Sequence, residues 1–169
     1  MRRVRLICSV ALVFIFMAAA GAAQKPGFSG TWVMDREKST GLPPEVDQIM
    51  KVNQAGDKID LETKVYTEQG SFSISDSYAV SGKEVEFVPQ TPQGPSGKGK
   101  RTAKWTDEGL GIEVVEEATI ETPNGAVNQQ ITRKWLLSAD GKTLTIELNV
   151  KGPQGDQTSR RLFTRKAEG

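Results

Sequence analysis

The sequence predicts an all-β domain, an antiparallel up-and-down meander of about eight to ten strands that curls and closes on itself. From residue 46 onward, apolar and polar residues alternate with period two, and no segment of that stretch carries a helical period. Turn signals punctuate the alternation: Ala55-Gly56, Ser81-Gly82, Asp107-Glu108, Asn124-Gly125 and Asp140-Gly141. The expected strands are roughly 28–34, 46–54, 58–66, 71–80, 83–88, 98–106, 110–121, 127–138, 142–151 and 157–165. Sequential antiparallel strands with no crossover helix bury one face by closing into a barrel or by stacking as two sheets. Up-and-down closure is the simpler outcome because it removes exposed edges.

The turns set a register that can be checked. With Asn124-Gly125 as a two-residue turn, Val114 faces Trp135, Ile112 faces Leu137, Ala118 faces Ile131 and Glu116 faces Arg133. With Asp140-Gly141 as the next, Trp135 faces Ile146, Leu137 faces Leu144 and Ile131 faces Val150. The same residues are apolar and share a face in both pairings, whereas a slip of one would scramble them. Ser81-Gly82 pairs Tyr78 with Val85 and Asp76 with Phe87. Ala55-Gly56 pairs Val52 with Ile59 and Met50 with Leu61, and Asp107-Glu108 pairs Trp105 with Leu110. The other face carries Glu113, Glu117, Thr132, Lys134, Thr143, Thr145 and Glu147 and meets water.

Ahead of this domain, residues 1–23 read as a cleavable signal peptide. Arg2, Arg3 and Arg5 precede an apolar run from Leu6 to Met17, and Ala20-Gly21-Ala22 and Gly21-Ala22-Ala23 fit the small-x-small cleavage rule. The rival reading, a membrane anchor, needs about 20 apolar residues, more than this run supplies. Cleavage leaves residues 24–169 as one exported domain, periplasmic or extracellular. The single cysteine, Cys8, lies inside the signal, so the mature domain has neither a disulfide nor a thiol for lipid attachment. Losing three arginines from 22 basic residues leaves 19 against 21 acidic, a net charge of −2 that argues against a nucleic-acid footprint. There is no histidine. Triads built on His, and the usual zinc, copper and haem sites, are therefore excluded, and no metal or cofactor is expected.

The first strand opens Phe28-Ser29-Gly30-Thr31-Trp32 and the last reads Arg161-Leu162-Phe163-Thr164-Arg165. Gly-x-Trp at the start and an arginine two residues before an aromatic at the end resemble the calycin group: lipocalins, fatty-acid-binding proteins and avidins. The resemblance implies a lipocalin-like barrel with a ligand inside, a signature tryptophan packed across its floor near a late basic residue, and anion-binding arginines on the eighth and tenth strands, where Arg133 and Arg161 stand here. Two departures mark this chain. Residues 35–45 are too short and proline-rich for the helical lid of fatty-acid-binding proteins, and Phe163 replaces a tyrosine.

Asp76, Glu116 and Arg133 fall on the apolar face, and Arg161 joins them if Gly152–Gly155 is a four-residue turn. Inside a barrel such charges are paired or wet. One reading is an internal Glu116–Arg133 ion pair that fixes register; the other is a polar cavity wall in which Arg133 and Arg161 meet an anionic headgroup. Trp32 and Trp135 are core residues or ligand-stacking surfaces. Pro89 to Lys100 reads as a mobile loop flanking the mouth, with Lys98, Lys100 and Arg101 as its solvated end; Gly94 to Lys98 lacks the spacing and the strand-to-helix setting of a phosphate loop. The expected function is binding of a small apolar or amphipathic ligand, with ligand-binding residues Arg133, Arg161, Glu116, Asp76, Trp135 and Trp32. The alternative is a structural or interaction domain with a filled core. An enzyme using Asp76 and Glu116 as paired carboxylates has no further support because the two lie on distant strands. An outer-membrane barrel would put Arg133 in lipid.

Overall fold

The computed structural model describes residues 25–106 and 109–167, and the signal-peptide expectation lies outside them. Twelve strands follow in chain order: β1 Gly30–Met34, β2 Asp47–Ala55, β3 Lys58–Thr67, β4 Gly70–Ala79, β5 Glu84–Phe87, β6 Gln90–Thr91, β7 Gly94–Pro95, β8 Lys98–Trp105, β9 Gly111–Thr122, β10 Gly125–Leu137, β11 Thr143–Gly152 and β12 Gly155–Arg165. Ten form one antiparallel sheet in the order β4-β3-β2-β1-β12-β11-β10-β9-β8-β5, and β6 and β7 make a separate hairpin. The meander is thus the predicted one, with first and last strands joined: Trp32 pairs with Arg165 and Met34 with Phe163. Among the described residues, no helix is long and apolar enough to cross a membrane.

The hairpins at Asp140-Gly141 and Gly152–Gly155 have the expected register, with Trp135 opposite Ile146 and Ile146 opposite Arg161. Three others are shifted by two residues. Trp135 pairs with Ile112 and Ile131 with Glu116, because Pro123-Asn124 and not Asn124-Gly125 occupies the turn. Thr122 Oγ1 donates to Gly125 O at 2.7 Å, and Gly125 takes the positive φ of 111° that the exit from this turn requires. Likewise Val52 faces Leu61 and Trp105 faces Ile112. A shift of two preserves parity, so every inward residue stays inward.

The Ser81-Gly82 hairpin is a correction of another kind. Tyr78 does not face Val85, nor Asp76 Phe87, because β4 and β5 share no ladder; β5 pairs with β8 instead, Val85 opposite Arg101 and Phe87 opposite Gly99. The corner bonds to its surroundings and not to itself, Val80 N–H donating to Asp57 O at 2.7 Å and Gly82 N–H to Ala103 O at 2.8 Å. Among the described residues the ladder is interrupted here, so closure is completed by side chains.

An aromatic plug closes one end. Phe28, Trp32, Trp135, Phe163 and Tyr78 are buried. Phe28 stacks on Trp105 at 6.2 Å and meets Trp135 edge-on at 5.8 Å, and Tyr78 meets Trp135 edge-on at 6.0 Å. Arg165 straps the plug. Its guanidinium lies 4.3 Å from the Trp32 ring centre, its Nε–H donates to Gly141 O and Nη2–H to Gly27 O, each at 2.8 Å, and Nη1–H bonds Ser29 O. Arg165→Met is expected to cost about 2 kcal/mol, read as a lower urea midpoint at unchanged slope.

Residues 35–46 carry no helix; they run along β12, with Thr40 and Arg160 exchanging backbone bonds of 2.8 and 3.0 Å. The segment read as a mobile loop is instead the β6–β7 hairpin. It is tied down by Ser96 N–H to Pro89 O and Ser96 Oγ to Glu121 O, both at 2.9 Å.

Candidate functional site

Inside the barrel, above the plug, four charged side chains form one network. Arg101, on β8, donates through Nε–H to Glu116 Oε1 at 2.5 Å, and through its two terminal nitrogens to the Asp76 carboxylate at 2.6 and 2.8 Å. Its Nη1 also reaches Ser77 O at 2.9 Å. Glu116 accepts from Arg133 through its other oxygen. Arg133 stands opposite Val114, one step diagonal from Glu116, and the side chains span the difference. Glu116 is 2% exposed and Arg101 4% exposed.

Arg101 is therefore no solvated loop end. It shares parity with Ala103 and Trp105, and that pattern is the signal which marks it as inward. Asp76 and Glu116, expected on distant strands, meet on this one guanidinium because the curled sheet brings β4 round to β8. Both carboxylates are engaged as acceptors. The expected internal ion pair is present, enlarged to four residues.

Arg161 stands apart. Its Nη1–H reaches Gln48 Oε1 at 3.3 Å, but its Nε–H is buried with no acceptor among the described residues, as is the Trp135 indole N–H. Burial, then the nearby Arg133 charge, pulls the Arg161 pKa down to about 10, which leaves it charged at neutral pH. Burial pushes the Tyr78 hydroxyl up, so it stays a neutral O–H. A cavity of about 130 Å³ is lined by Arg161, Arg133, Trp135, Tyr78, Asp76 and Gln48, with apolar walls from Met50, Leu61, Ile74, Ile146, Leu148 and Phe163. Beyond it the inward face continues as half-buried Phe72, Ile131 and Val150. Of the six residues expected to bind ligand, four line this cavity. Glu116 lies behind Arg133, and Trp32 sits in the plug with its indole N–H given to Phe28 O at 2.8 Å.

Around the cavity stand three guanidiniums, Arg101, Arg133 and Arg161, and two carboxylates, Asp76 and Glu116. The surplus positive charge belongs to Arg161. Chemically, the arrangement sets one guanidinium outside the ion-pair network, together with an unpaired indole N–H, beside apolar surface. A larger open groove of about 890 Å³ lies elsewhere and is lined mainly by outward side chains, among them Lys98, Lys100, Glu117, Gln130 and Lys151. Its alternating charges mark a solvated face.

The chain has the fold of the small calycin-type barrels. It is similar to the zebrafish ileal bile acid-binding protein solved with cholic acid, with a TM-score of 0.50 and 18% identity over 82% of this chain and 98% of that one. It is also similar to secretory abundant heat soluble protein 4 from Ramazzottius varieornatus, with a TM-score of 0.45 and 15% identity over 85% and 96% of the two chains. No protein-family profile and no curated protein sequence matches it.

Proposed function

We propose that this protein is an exported β-barrel binder, not an enzyme, that takes a small amphipathic ligand with one negative charge. The head meets Arg161 and the Trp135 indole N–H, and the body lies along Met50, Ile74 and Leu148 toward the half-buried strip. The observation that carries this reading is Arg161, a mostly buried guanidinium with no carboxylate partner among the described residues. Such a charge is costly to bury unpaired, and an anionic ligand supplies the partner. The fold likeness to a protein solved with cholic acid, an amphipathic anion, supports the same class. Export rests on the pattern of residues 1–23, and the mass of the secreted product tests it.

The binding test is a titration of the mature domain with 8-anilinonaphthalene-1-sulfonate, an apolar anion, against uncharged N-phenyl-1-naphthylamine. The sulfonate is expected to bind at least about tenfold more tightly, the scale of one charge-assisted hydrogen bond. The rival reading, a filled core without ligand, draws on the cavity's size, about 130 Å³ against roughly 300 Å³ or more for pockets that enclose drug-sized ligands. Binding of neither dye, with native mass spectrometry of the exported protein showing the bare chain, would establish it.

A further inference from the structure

β4 and β5 follow one another in the chain yet share no ladder, so the barrel wall between them is a slot filled by side chains. Arg101 reaches across it from β8, which carries β5 on its other edge. On the β4 bank it holds the Asp76 carboxylate and the Ser77 carbonyl. Its guanidinium lies 4.7 Å from the Tyr78 ring centre and 4.0 Å from that of Phe87, one ring from each bank. Asp76 and Tyr78, which grip Arg101, are also walls of the cavity. Here the barrel wall is one side chain thick.

The strands beside the slot are the least tied in the sheet. β5 has four residues and bonds β8 alone, and β4 bonds β3 alone. At the plug end the corner is pinned by Val80 to Asp57 and Gly82 to Ala103. Parting the banks therefore swings β4 about residues 79–82 and is widest away from the plug, toward the half-buried strip. Elsewhere, opening the wall breaks a row of backbone hydrogen bonds. At the slot it releases one guanidinium and the packing of β6 against β4, with no ladder between the banks to break, and that guanidinium keeps Glu116 as an acceptor while it swings.

We propose that the β4–β5 slot is the route by which ligand reaches the cavity, and that Arg101 is its clasp. This rests on the binding reading above and adds a gate to it. The competing route is the open end of the barrel beyond Phe72 and Val150, which the clasp does not control.

The experiment follows binding of 8-anilinonaphthalene-1-sulfonate by stopped flow to the wild type, to Arg101→Met, and to the double variant Asp76→Asn/Arg101→Met. The double variant keeps the interior charge balance and the Glu116–Arg133 pair, so it guards against simple misfolding of the single one. A gate predicts an association rate constant at least about tenfold higher in the variants, since opening no longer limits admission. It also predicts faster amide exchange confined to residues 70–79 and 84–87. Bound dye with an unchanged association rate overturns the gate and leaves the binding reading standing, as does exchange that rises evenly across all strands. Dye that binds none of the three proteins overturns the binding reading, and the gate falls with it.

Discussion

Arg161→Met is expected to abolish measurable binding of the anionic dye and, in the same protein, to raise the stability of the domain. The two effects have one cause. The guanidinium is mostly buried, its best neutral contact is Gln48 at 3.3 Å, and its Nε–H has no acceptor among the described residues. The Arg133 cation repels it, and that repulsion adds to burial in pulling its pKa down. Methionine fills a similar volume with no charge to desolvate. The gain is about 1–3 kcal/mol, or several degrees in melting temperature for a domain of this size. The loss in dye affinity is at least ~30-fold, because the sulfonate would enter an apolar pocket with only neutral donors left to meet it. A residue kept for packing gives the opposite pattern, lower stability with little change in binding. Equilibrium unfolding and dye titration on one preparation separate the two.

The contrast between Arg133 and Arg161 shows what the sequence makes legible and what it does not. Both were readable as inward-facing: Trp135 fixes the parity of β10 for Arg133, Ile146 passes that parity to Arg161 on β12 once Gly152–Gly155 is the turn, and a turn error of two residues leaves parity intact. Parity cannot say which arginine is neutralised. That depends on Arg101, whose lysine neighbours in sequence, Lys98 and Lys100, make it look like part of a basic loop. Only the alternation Arg101, Ala103, Trp105 points inward. The meeting of β4 with β8 is legible still less. It arises because the sheet curls far enough for strands at opposite ends of its order to touch, a property of summed twist that no local window carries. The Ser81-Gly82 dipeptide carries a hairpin signal, and tertiary partners at Asp57 and Ala103 override it. The floor was readable in outline: Trp32 lies across the plug beneath a late arginine, which proves to be Arg165.

The other large effect is expected at Glu116. This carboxylate is 2% exposed and is shared by two guanidiniums, Arg101 at 2.5 Å and Arg133 on its other oxygen. Replacing it by glutamine keeps the shape but withdraws the charge. Arg101 retains Asp76 and Ser77 O, while Arg133 is left beside Arg161 with no counter-ion. The interior then holds three positive charges against one negative. A cost of about 3–5 kcal/mol follows from stranding a buried charge, roughly 10 °C in melting temperature. The same physics predicts that Glu116→Leu/Arg133→Met recovers most of that loss. The double replacement removes one charge of each sign, leaves the Arg101–Asp76 contact whole, and fills the space with apolar groups that need no partner. Chemical denaturation of the wild type, Glu116→Leu, Arg133→Met and the double variant closes a thermodynamic cycle. Strong positive coupling assigns the Glu116–Arg133 pair to the scaffold that sets the charge beside the cavity. Additive losses would mean that each side chain acts alone, and the surplus charge could then no longer be assigned to Arg161.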